Sequence, residues 1–271
     1  MTLTIDQTVQ YRVEGAIATL TLNRPERMNT MSREVLESVT SALESAAGDI
    51  DVRVLVMTGA GRAFCAGGDL TSFATGGNKA QVDEMGVQAR VDQLRQAMRT
   101  SQLLHEMPKV TIAAINGACA GAGLAWACAA DIRLASESAM FNTAFMTAGL
   151  SGDFGGTWTL SRILGSGKAR ELYFLAEKFT AREAERIGLV SRCLPDAELM
   201  TEVSRIADRI AGFAPLTVRA MKANLNDAGR LSFSELLDIE AARQIQTGLT
   251  DDAREAASAF LEKRPPVFSG R

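Results

Sequence analysis

The sequence predicts an α/β core followed by a helical region, on two observations. Short apolar runs typical of buried strands alternate with helical segments, and further along the chain helices separated by glycine and proline follow. No Pro/Ser linker, charge block or low-complexity tract divides the 271 residues. We therefore predict a core over residues 1–195 that contains the binding site, and a C-terminal helical region over residues 196–271.

Each element has a local signal. Alternating apolar residues on both sides of Glu14 and Gly15 predict a β-hairpin over residues 9–22. Ser32 is a favoured N-cap residue and starts a helix whose apolar residues share one face. The remaining core elements are strands at 53–58, 110–115 and 132–135, a long helix ending near His105, and a small-residue helix at 121–130. The later helices are predicted at 158–164, 168–176, 181–187 and 198–211, with further segments near Val218, Leu236 and Ala256.

Composition excludes several classes of protein. The 29 Lys+Arg and 32 Asp+Glu residues are interspersed and give a net charge of -3, so no broad basic surface exists for nucleic acid. The four cysteines form no C-x-x-C pair and there is one histidine, which excludes zinc-type ligand spacing, and we expect no metal. We expect no membrane partner and a cytoplasmic location, because the start lacks a basic and apolar leader and glycines interrupt the apolar stretch 110–130.

Two glycine-rich loops each follow a predicted strand. They are AGRAFCAGGDL at residues 60–70 and INGACAGAGLAWACAAD at residues 115–131. Neither has the glycine spacing of a dinucleotide-binding fingerprint or of a P-loop. Each loop alone is more typical of tight-turn packing than of a site. Two loops at the ends of successive strands favour a pair of backbone donors that converge on one oxygen, an oxyanion hole.

Four motifs resemble the crotonase, or enoyl-CoA hydratase/isomerase, family. They are LNRPERMN at 22–29, AFCAGGDL at 63–70, NG-x-x-x-G-x-G at 116–123 and DDAREAASAFLEKRPPVF at 251–268. The resemblance implies a crotonase (ClpP-like) spiral of ββα units with a C-terminal helical trimerisation region. It also implies an acyl-CoA thioester substrate, no cofactor apart from the coenzyme A of that substrate, and a homo-trimer or a hexamer made of two trimers.

The resemblance assigns roles to individual positions. The two oxyanion donors fall on the backbone N–H groups of Gly68 and Ala122. The coenzyme A contacts fall on Arg27, Met28, Ala66, Asp69, Leu70, Phe260 and Lys263, the last two supplied by a neighbouring subunit. For Arg27 and Lys263, a solvated surface charge is an equally good interpretation.

The chain departs from the family's hydratase pattern at two positions. That pattern places glutamates where this sequence has Ala125 and Phe145. Neither side chain can transfer a proton, and both are apolar and exclude water. A hydratase that uses the usual pair of glutamates is therefore disfavoured.

Asp153, in GLSGDFGGTWTL at 149–160, is the one acidic residue near the family's acid/base positions. It could cap the helix that follows, since aspartate is a favoured N-cap residue. Its position resembles that of the acid in 3,2-enoyl-CoA and dienoyl-CoA isomerases, and we therefore favour a catalytic role. The direction of its pKa shift stays open, because Phe145 and Phe154 would raise it by desolvation and a helix N-terminus would lower it.

The predicted function is that of an acyl-CoA isomerase. Asp153 would move a proton from the α to the γ carbon of a 3-enoyl-CoA, with the charge held at the oxyanion hole. The sequence looks most like the phenylacetate-degradation branch of the family, which rearranges a ring-epoxide CoA thioester. An apolar set could line the acyl pocket or belong to the ordinary core: Phe141, Phe145, Met146 and Trp158.

Two alternatives remain at this stage. The chain could be an enoyl-CoA hydratase that combines Asp153 with an unidentified second acid. It could also be a non-catalytic homologue that binds acyl-CoA or RNA. The presence of Asp153 argues against a silent homologue, and the charge balance argues against RNA.

Overall fold

Two β-sheets and the helices packed around them make up the fold. The structure is a computed structural model that describes residues 2–76, 80 and 83–271. The larger sheet has the strand order β1-β2-β3-β4-β6-β8-β11, and the smaller sheet has the order β10-β9-β7-β5. The strands are β1 (Thr2–Asp6), β2 (Val9–Glu14), β3 (Ile17–Leu22), β4 (Val54–Gly59), β5 (Ala63–Cys65), β6 (Val110–Ile115), β7 (Ala118–Ala120), β8 (Ile132–Ser136), β9 (Met140–Asn142), β10 (Phe179–Thr180) and β11 (Arg192–Leu194).

The helices surround both sheets and dominate the second half of the chain. They are α1 (Arg33–Gly48), α2 (Thr71–Ala74), α3 (Val87–Ala97), α4 (Arg99–Glu106), α5 (Ala122–Ala129), α6 (Gly156–Leu175), α7 (Ala181–Arg186), α8 (Leu199–Ala211), α9 (Pro215–Ala228), α10 (Phe233–Gly248) and α11 (Asp251–Glu262). Among the described residues, no helix is both long enough and apolar enough to span a bilayer.

The sheets grow by a repeated unit. The pairs β4 and β5, β6 and β7, and β8 and β9 each add one strand to the larger sheet and then a short strand to the smaller one. Strands β4, β6 and β8 are parallel to one another and are largely buried, because helices or the second sheet cover both faces of this part of the sheet. This is the ββα arrangement that the family resemblance implies.

Most predicted elements are confirmed. Strands β2 and β3 form the expected antiparallel hairpin, and Gly15 supplies the positive φ of +56° at the turn. The side chain of Ser32 accepts a hydrogen bond from the backbone N–H of Val35 at the start of α1. The predicted helices at 158–164 and 168–176 are the two halves of α6, which is kinked at Gly165.

Two sequence predictions need correction. The single long helix ending near His105 is two helices, α3 and α4, separated at Met98. The side chains of Val91 and Leu94 are 51% and 44% exposed, so the apolar face of α3 does not enter the core. The strands of the smaller sheet, β5, β7, β9 and β10, were not predicted, because strands of two or three residues are too short to show an alternating pattern.

Two apolar cores lie on opposite sides of the larger sheet. The main core lies between that sheet and helices that include α1 and α5. The second core is formed with α8 by Val54, Val56, Ile112, Ala114, Leu134, Leu199, Val203 and Ala207. The first helix after position 195 therefore packs directly on the sheet, and the division at 195 stays a prediction.

Candidate active site

Two asparagine side chains hold the first glycine loop, which runs from the end of β4 to residue 68. Asn29 donates to the backbone oxygens of Ala60 at 3.0 Å and Ala63 at 2.7 Å. Asn116 accepts a hydrogen bond from the N–H of Gly59 at 3.2 Å. A Cβ on Gly59 would lie 2.1 Å from the oxygen of Ala63, so only glycine permits this turn.

The second glycine loop joins β7 to α5. Gly121 turns the chain with a φ of +53°, and its N–H donates to the oxygen of Asn142 at 3.0 Å. A Cβ on Gly123 would lie 2.2 Å from the oxygen of Cys65. The backbone of α5 at Gly123 therefore packs directly against the backbone at the end of β5, with no side chain between them.

The two loops bring together two backbone N–H groups that have no partner among the described residues. Residues 31 and 68 form a parallel bridge, in which the N–H of Met31 donates to the oxygen of Gly67 and the N–H of Asp69 donates to the oxygen of Met31. The N–H of Gly68 takes no part in this bridge. Ala122 is the first residue of α5, and a first-turn N–H has no partner within its helix. A Cβ on Gly67 would lie 3.4 Å from the nitrogen of Ala122, so the loops converge there. Two such donors can stabilise an oxyanion.

Asp153 precedes α6 without capping it. The helix begins at Gly156, Gly155 occupies the N-cap position, and no side chain makes a capping hydrogen bond there. The backbone around the aspartate has positive φ at Gly152 (+99°), Phe154 (+52°) and Gly155 (+75°). The capping interpretation of Asp153 is therefore wrong, because Gly155 occupies the N-cap position and the Asp153 side chain makes no capping hydrogen bond.

The Asp153 side chain is half-buried. Its Oδ1 atom is buried and accepts no hydrogen bond from any described residue. Burial raises the pKa of Asp153 from its ordinary value of 3.8 to about 6. The cause of this shift is desolvation of the carboxylate by burial. A carboxyl with this pKa can both accept and return a proton near neutral pH.

Phe145 connects the second glycine loop with the loop of Asp153. Its ring lies 3.9 Å from the point where a Cβ on Gly121 would stand and 3.8 Å from the corresponding point on Gly152. Ala125 faces the start of α6, since a Cβ on Gly156 would lie 3.1 Å from its methyl group. The two positions that carry glutamate in the hydratase pattern thus adjoin the turn that bears Asp153.

The other proposed acyl-pocket residues lie in different surroundings. Phe141 is fully buried and stacks on Phe179 at a ring distance of 5.4 Å, so it is a core residue. Trp158 is 43% exposed and packs edge-on against His105, with ring centroids 5.2 Å apart. Met146 is 53% exposed. Of the four, Phe145 is the residue whose contacts adjoin both the second glycine loop and Asp153.

Five of the proposed coenzyme A contacts belong to adjacent segments. The N–H of Ala66 donates to the oxygen of Met28 at 3.0 Å, which aligns the 24–31 segment with the first glycine loop. Arg27 ends an exposed 3-10 turn beside this contact, and its charge helps to hold the pKa of Asp69 low. The main cause of that low pKa is a hydrogen bond from the side chain of Thr71.

Two further proposed contacts lie elsewhere in the chain. Phe260 is 82% exposed near the end of α11, and Lys263 is the exposed residue that terminates this helix with a φ of +57°. The helix packs against α10. The fold of one chain therefore leaves the Phe260 side chain uncovered.

Comparison with known proteins identifies the family. The sequence profile described as "Enoyl-CoA hydratase/isomerase" matches residues 12–271. The chain belongs to this family. Its fold agrees, since the crystal structure of an enoyl-CoA hydratase from Bacillus anthracis superposes with a TM-score of 0.89 at 30% identity, over 98% of this chain and 100% of that one.

Similar members of the enoyl-CoA hydratase/isomerase family carry different activity names. A Rhodobacter capsulatus protein named "Probable enoyl-CoA hydratase" is 37% identical over 97% of this chain and 98% of its own length. The "1,2-epoxyphenylacetyl-CoA isomerase" of Escherichia coli K12 is 35% identical over 96% of this chain and 97% of its own length. The comparisons therefore establish a hydratase/isomerase-family enzyme, and the choice between the two reactions depends on the site.

Sequence reasoning missed three residues that shape this family site. Asn29 and Asn116 lie in the quoted motifs, but their hydrogen bonds across 31 to 57 positions of the chain are not visible in a pattern. Tyr173 lies on an apolar helix face typical of core packing, and the structure places its hydroxyl beside the first turn of α6. The one signal available was its rarity, since the chain has two tyrosines.

Gly67→Ala is expected to damage the oxyanion hole. The φ of Gly67 is +94°, and an added Cβ would lie 2.9 Å from the oxygen of Ala120, so the backbone must shift beside Gly68 and Ala122. Loss of one donor lowers kcat by roughly 10²- to 10³-fold. Steady-state kinetics with an enoyl-CoA substrate measures this. Gly15→Ala is the control, since Gly15 also has a positive φ but faces open space; equal kcat values for the two variants would contradict the assignment.

Asp153→Asn is expected to stabilise the protein at alkaline pH. Because the folded-state pKa of Asp153 is raised from 3.8 to about 6, the wild type loses stability relative to the variant as pH rises through that range. Near pH 8 the unfolding free energy of the variant should exceed that of the wild type by about 1 kcal/mol, after allowance for the part of the carboxyl that solvent reaches. Urea unfolding at several pH values measures the difference. A difference that does not shrink toward about pH 4 would argue against a desolvated carboxylate.

Proposed function

We propose that the chain is an acyl-CoA isomerase with Asp153 as its one acid/base residue. Its reaction is the shift of a 3-enoyl-CoA double bond to the 2-position, or the rearrangement of a ring-epoxide CoA thioester. The observation that carries the proposal is the half-buried Asp153 side chain, whose Oδ1 atom is buried without a hydrogen-bond partner among the described residues and whose pKa is raised to about 6. Ala125 and Phe145 supply no second carboxylate beside it.

The reaction uses three groups of the chain. The Asp153 carboxylate removes a proton from the α carbon of a 3-enoyl-CoA, and the electron pair moves onto the thioester oxygen. The N–H groups of Gly68 and Ala122 hold that oxygen, each donor being worth about 3 kcal/mol. Protonated Asp153 then returns the proton to the γ carbon, which gives the 2-enoyl-CoA. One residue suffices because the proton leaves and re-enters the same carbon skeleton.

The comparisons support the coarser part of this proposal, an enzyme of the enoyl-CoA hydratase/isomerase family. The Escherichia coli relative supports the isomerase branch by its name, and a ring-epoxide substrate follows from the same likeness. Coenzyme A would contact Arg27, Met28, Ala66, Asp69 and Leu70. No other cofactor takes part in the proposed reaction, and a cytoplasmic location stays a prediction.

A hydratase with an atypical acid/base set is the second candidate. The Rhodobacter capsulatus relative and the Bacillus anthracis structure, both with hydratase names, favour it. A silent acyl-CoA-binding homologue is disfavoured, because a non-catalytic chain would gain nothing from a desolvated, unpaired carboxyl that weakens the fold.

Asp153→Asn is expected to abolish double-bond migration. Loss of the general base lowers kcat by roughly 10²- to 10⁴-fold, and the affinity for acyl-CoA stays near that of the wild type. In the wild type, kcat/KM should rise with pH and level off above about 6, since the base acts when ionised. Stopped assays with a 3-enoyl-CoA measure both effects. Asp51→Asn, at an exposed turn before β4, is the control; an unchanged rate in Asp153→Asn would reject the proposed base.

We also propose that the chain assembles with itself as a trimer or as two trimers. The late helices expose large apolar side chains, Phe233, Leu237, Ile245, Leu249, Phe260 and Leu261. Phe260 and Lys263 would reach the coenzyme A site of the neighbouring copy.

Light scattering should therefore give a mass three or six times 29.0 kDa. Phe260→Ala should raise KM for acyl-CoA and leave kcat near that of the wild type, because the residue would touch coenzyme A and not the reacting carbons. A monomeric mass at micromolar concentration would contradict the assembly.

A further inference from the structure

The side chain of Tyr173, near the C-terminal end of α6, lies against the first turn of the same helix. Gly165 interrupts the helix with φ and ψ of +78° and +155°, which folds the second half back toward the first. A Cβ on Gly156 would lie 2.6 Å from the Tyr173 hydroxyl, so a glycine there makes room for this oxygen. The phenol hydroxyl thus lies beside Gly156, three positions after Asp153, although Tyr173 itself is twenty positions after Asp153.

Tyr173 lies near Ala125 and Phe145, the two residues that stand where the hydratase pattern has glutamates. The same Cβ position on Gly156 lies 3.1 Å from the methyl group of Ala125. The tyrosine ring stacks on Phe145, with ring centroids 6.4 Å apart and an interplanar angle of 20°. A polar hydroxyl therefore stands in a region that Ala125 and Phe145 alone would make fully apolar.

The hydroxyl is available as a hydrogen-bond donor. Among the described residues it has no hydrogen-bond partner, although a half-buried tyrosine usually has one. Burial raises the pKa of Tyr173, and the nearby Asp153 carboxylate raises it further, so the hydroxyl stays protonated at neutral pH. Asp153 Oδ1 is a nearby acceptor that is also without a partner. Both residues adjoin the first turn of α6, because the Tyr173 hydroxyl lies beside Gly156 and the backbone oxygen of Asp153 accepts a hydrogen bond from the N–H of Gly156 at 3.2 Å. A donor and an acceptor placed at one helix turn can together bind one oxygen atom.

We propose that Tyr173 and Asp153 hold a water molecule against the β carbon of a bound 2-enoyl-CoA, so that the site also adds water to its own isomerisation product. This proposal rests on the proposed function, because it uses the same base and the same oxyanion donors. Tyr173 is the residue that determines whether hydration follows isomerisation.

The protons and electrons of the hydration step are all accounted for by water, the substrate, Asp153 and the two backbone donors. Asp153 takes one proton from the water while the water oxygen bonds to the β carbon, and the electron pair of the double bond moves onto the thioester oxygen. The N–H groups of Gly68 and Ala122 hold that charge. Asp153 then gives the proton to the α carbon, and the product is a 3-hydroxyacyl-CoA. Tyr173 keeps its own proton and donates a hydrogen bond to the water oxygen throughout.

The two reactions differ in their need for Tyr173. Double-bond migration moves a proton between two carbons and uses no water, so the phenol does not enter it. Hydration requires the water to be held in one orientation, which a single carboxylate does not achieve. Removal of the hydroxyl alone should therefore separate the two activities.

The test compares both reactions in three variants. The wild type is expected to hydrate crotonyl-CoA and to isomerise a 3-enoyl-CoA. Tyr173→Phe keeps the ring on Phe145 and should lower kcat for hydration by about tenfold or more, with migration nearly unchanged. Asp153→Asn should lose both. Tyr11→Phe is the matched control: Tyr11 is the other tyrosine of the chain, it lies in the core away from this site with a buried hydroxyl that has no partner among the described residues, and neither rate should change.

Three results would overturn the proposal: a wild type that does not hydrate crotonyl-CoA, equal losses of both rates in Tyr173→Phe, or no loss of hydration in that variant. The rate of migration reports whether Tyr173→Phe is folded. A wild type that hydrates but does not isomerise would instead reject the proposed isomerase function, so the two failures are distinguishable.

Discussion

The site depends on one constraint, the contact of bare backbone between β5 and the segment that carries β7 and α5. A Cβ on Gly117 would lie 2.2 Å from the oxygen of Arg62, and one on Gly123 would lie 2.2 Å from the oxygen of Cys65. Positions 117 and 123, which face the two ends of β5, therefore have no room for a side chain. The N–H groups of Gly68 and Ala122 converge because these backbones touch, and a main-chain donor does not depend on its own side chain. Alanine at position 122 is therefore compatible with an oxyanion donor.

The proposed acid/base group, Asp153, depends on the opposite condition, the absence of hydrogen-bond partners around its Oδ1 atom. Asp153 lies on a turn with three positive φ values in four residues, and its buried oxygen has no partner among the described residues. The unpartnered oxygen destabilises the fold when the carboxyl is ionised, and its burial favours a carboxyl that gains and loses a proton near neutral pH. Apolar neighbours at Ala125 and Phe145 maintain this state. The proposed proton transfer and the cost in stability thus have the same physical origin, the burial of this carboxyl.

Much of the fold was predictable because its signals are local. The β2–β3 hairpin, the Ser32 N-cap and the helices after Gly155 follow from periodicity and turn residues over a few positions. The smaller sheet was not predictable from residue pattern, since its strands have two or three residues each. The break at Met98 and the exposure of α3 were also missed, because an amphipathic pattern does not say what the apolar face will meet.

By itself the sequence determined which groups are present: paired glycine loops, one aspartate near the acid/base positions, and no glutamate at 125 or 145. Only the tertiary structure decided what those groups can do. Burial in the folded chain raises the pKa of Asp153. The structure also shows that Gly155, and not Asp153, occupies the N-cap position of α6. The kink at Gly165 brings Tyr173 beside Ala125, 48 positions apart in sequence. Hydrogen-bond partners and desolvation are set by neighbours in space, and a linear pattern records neighbours along the chain.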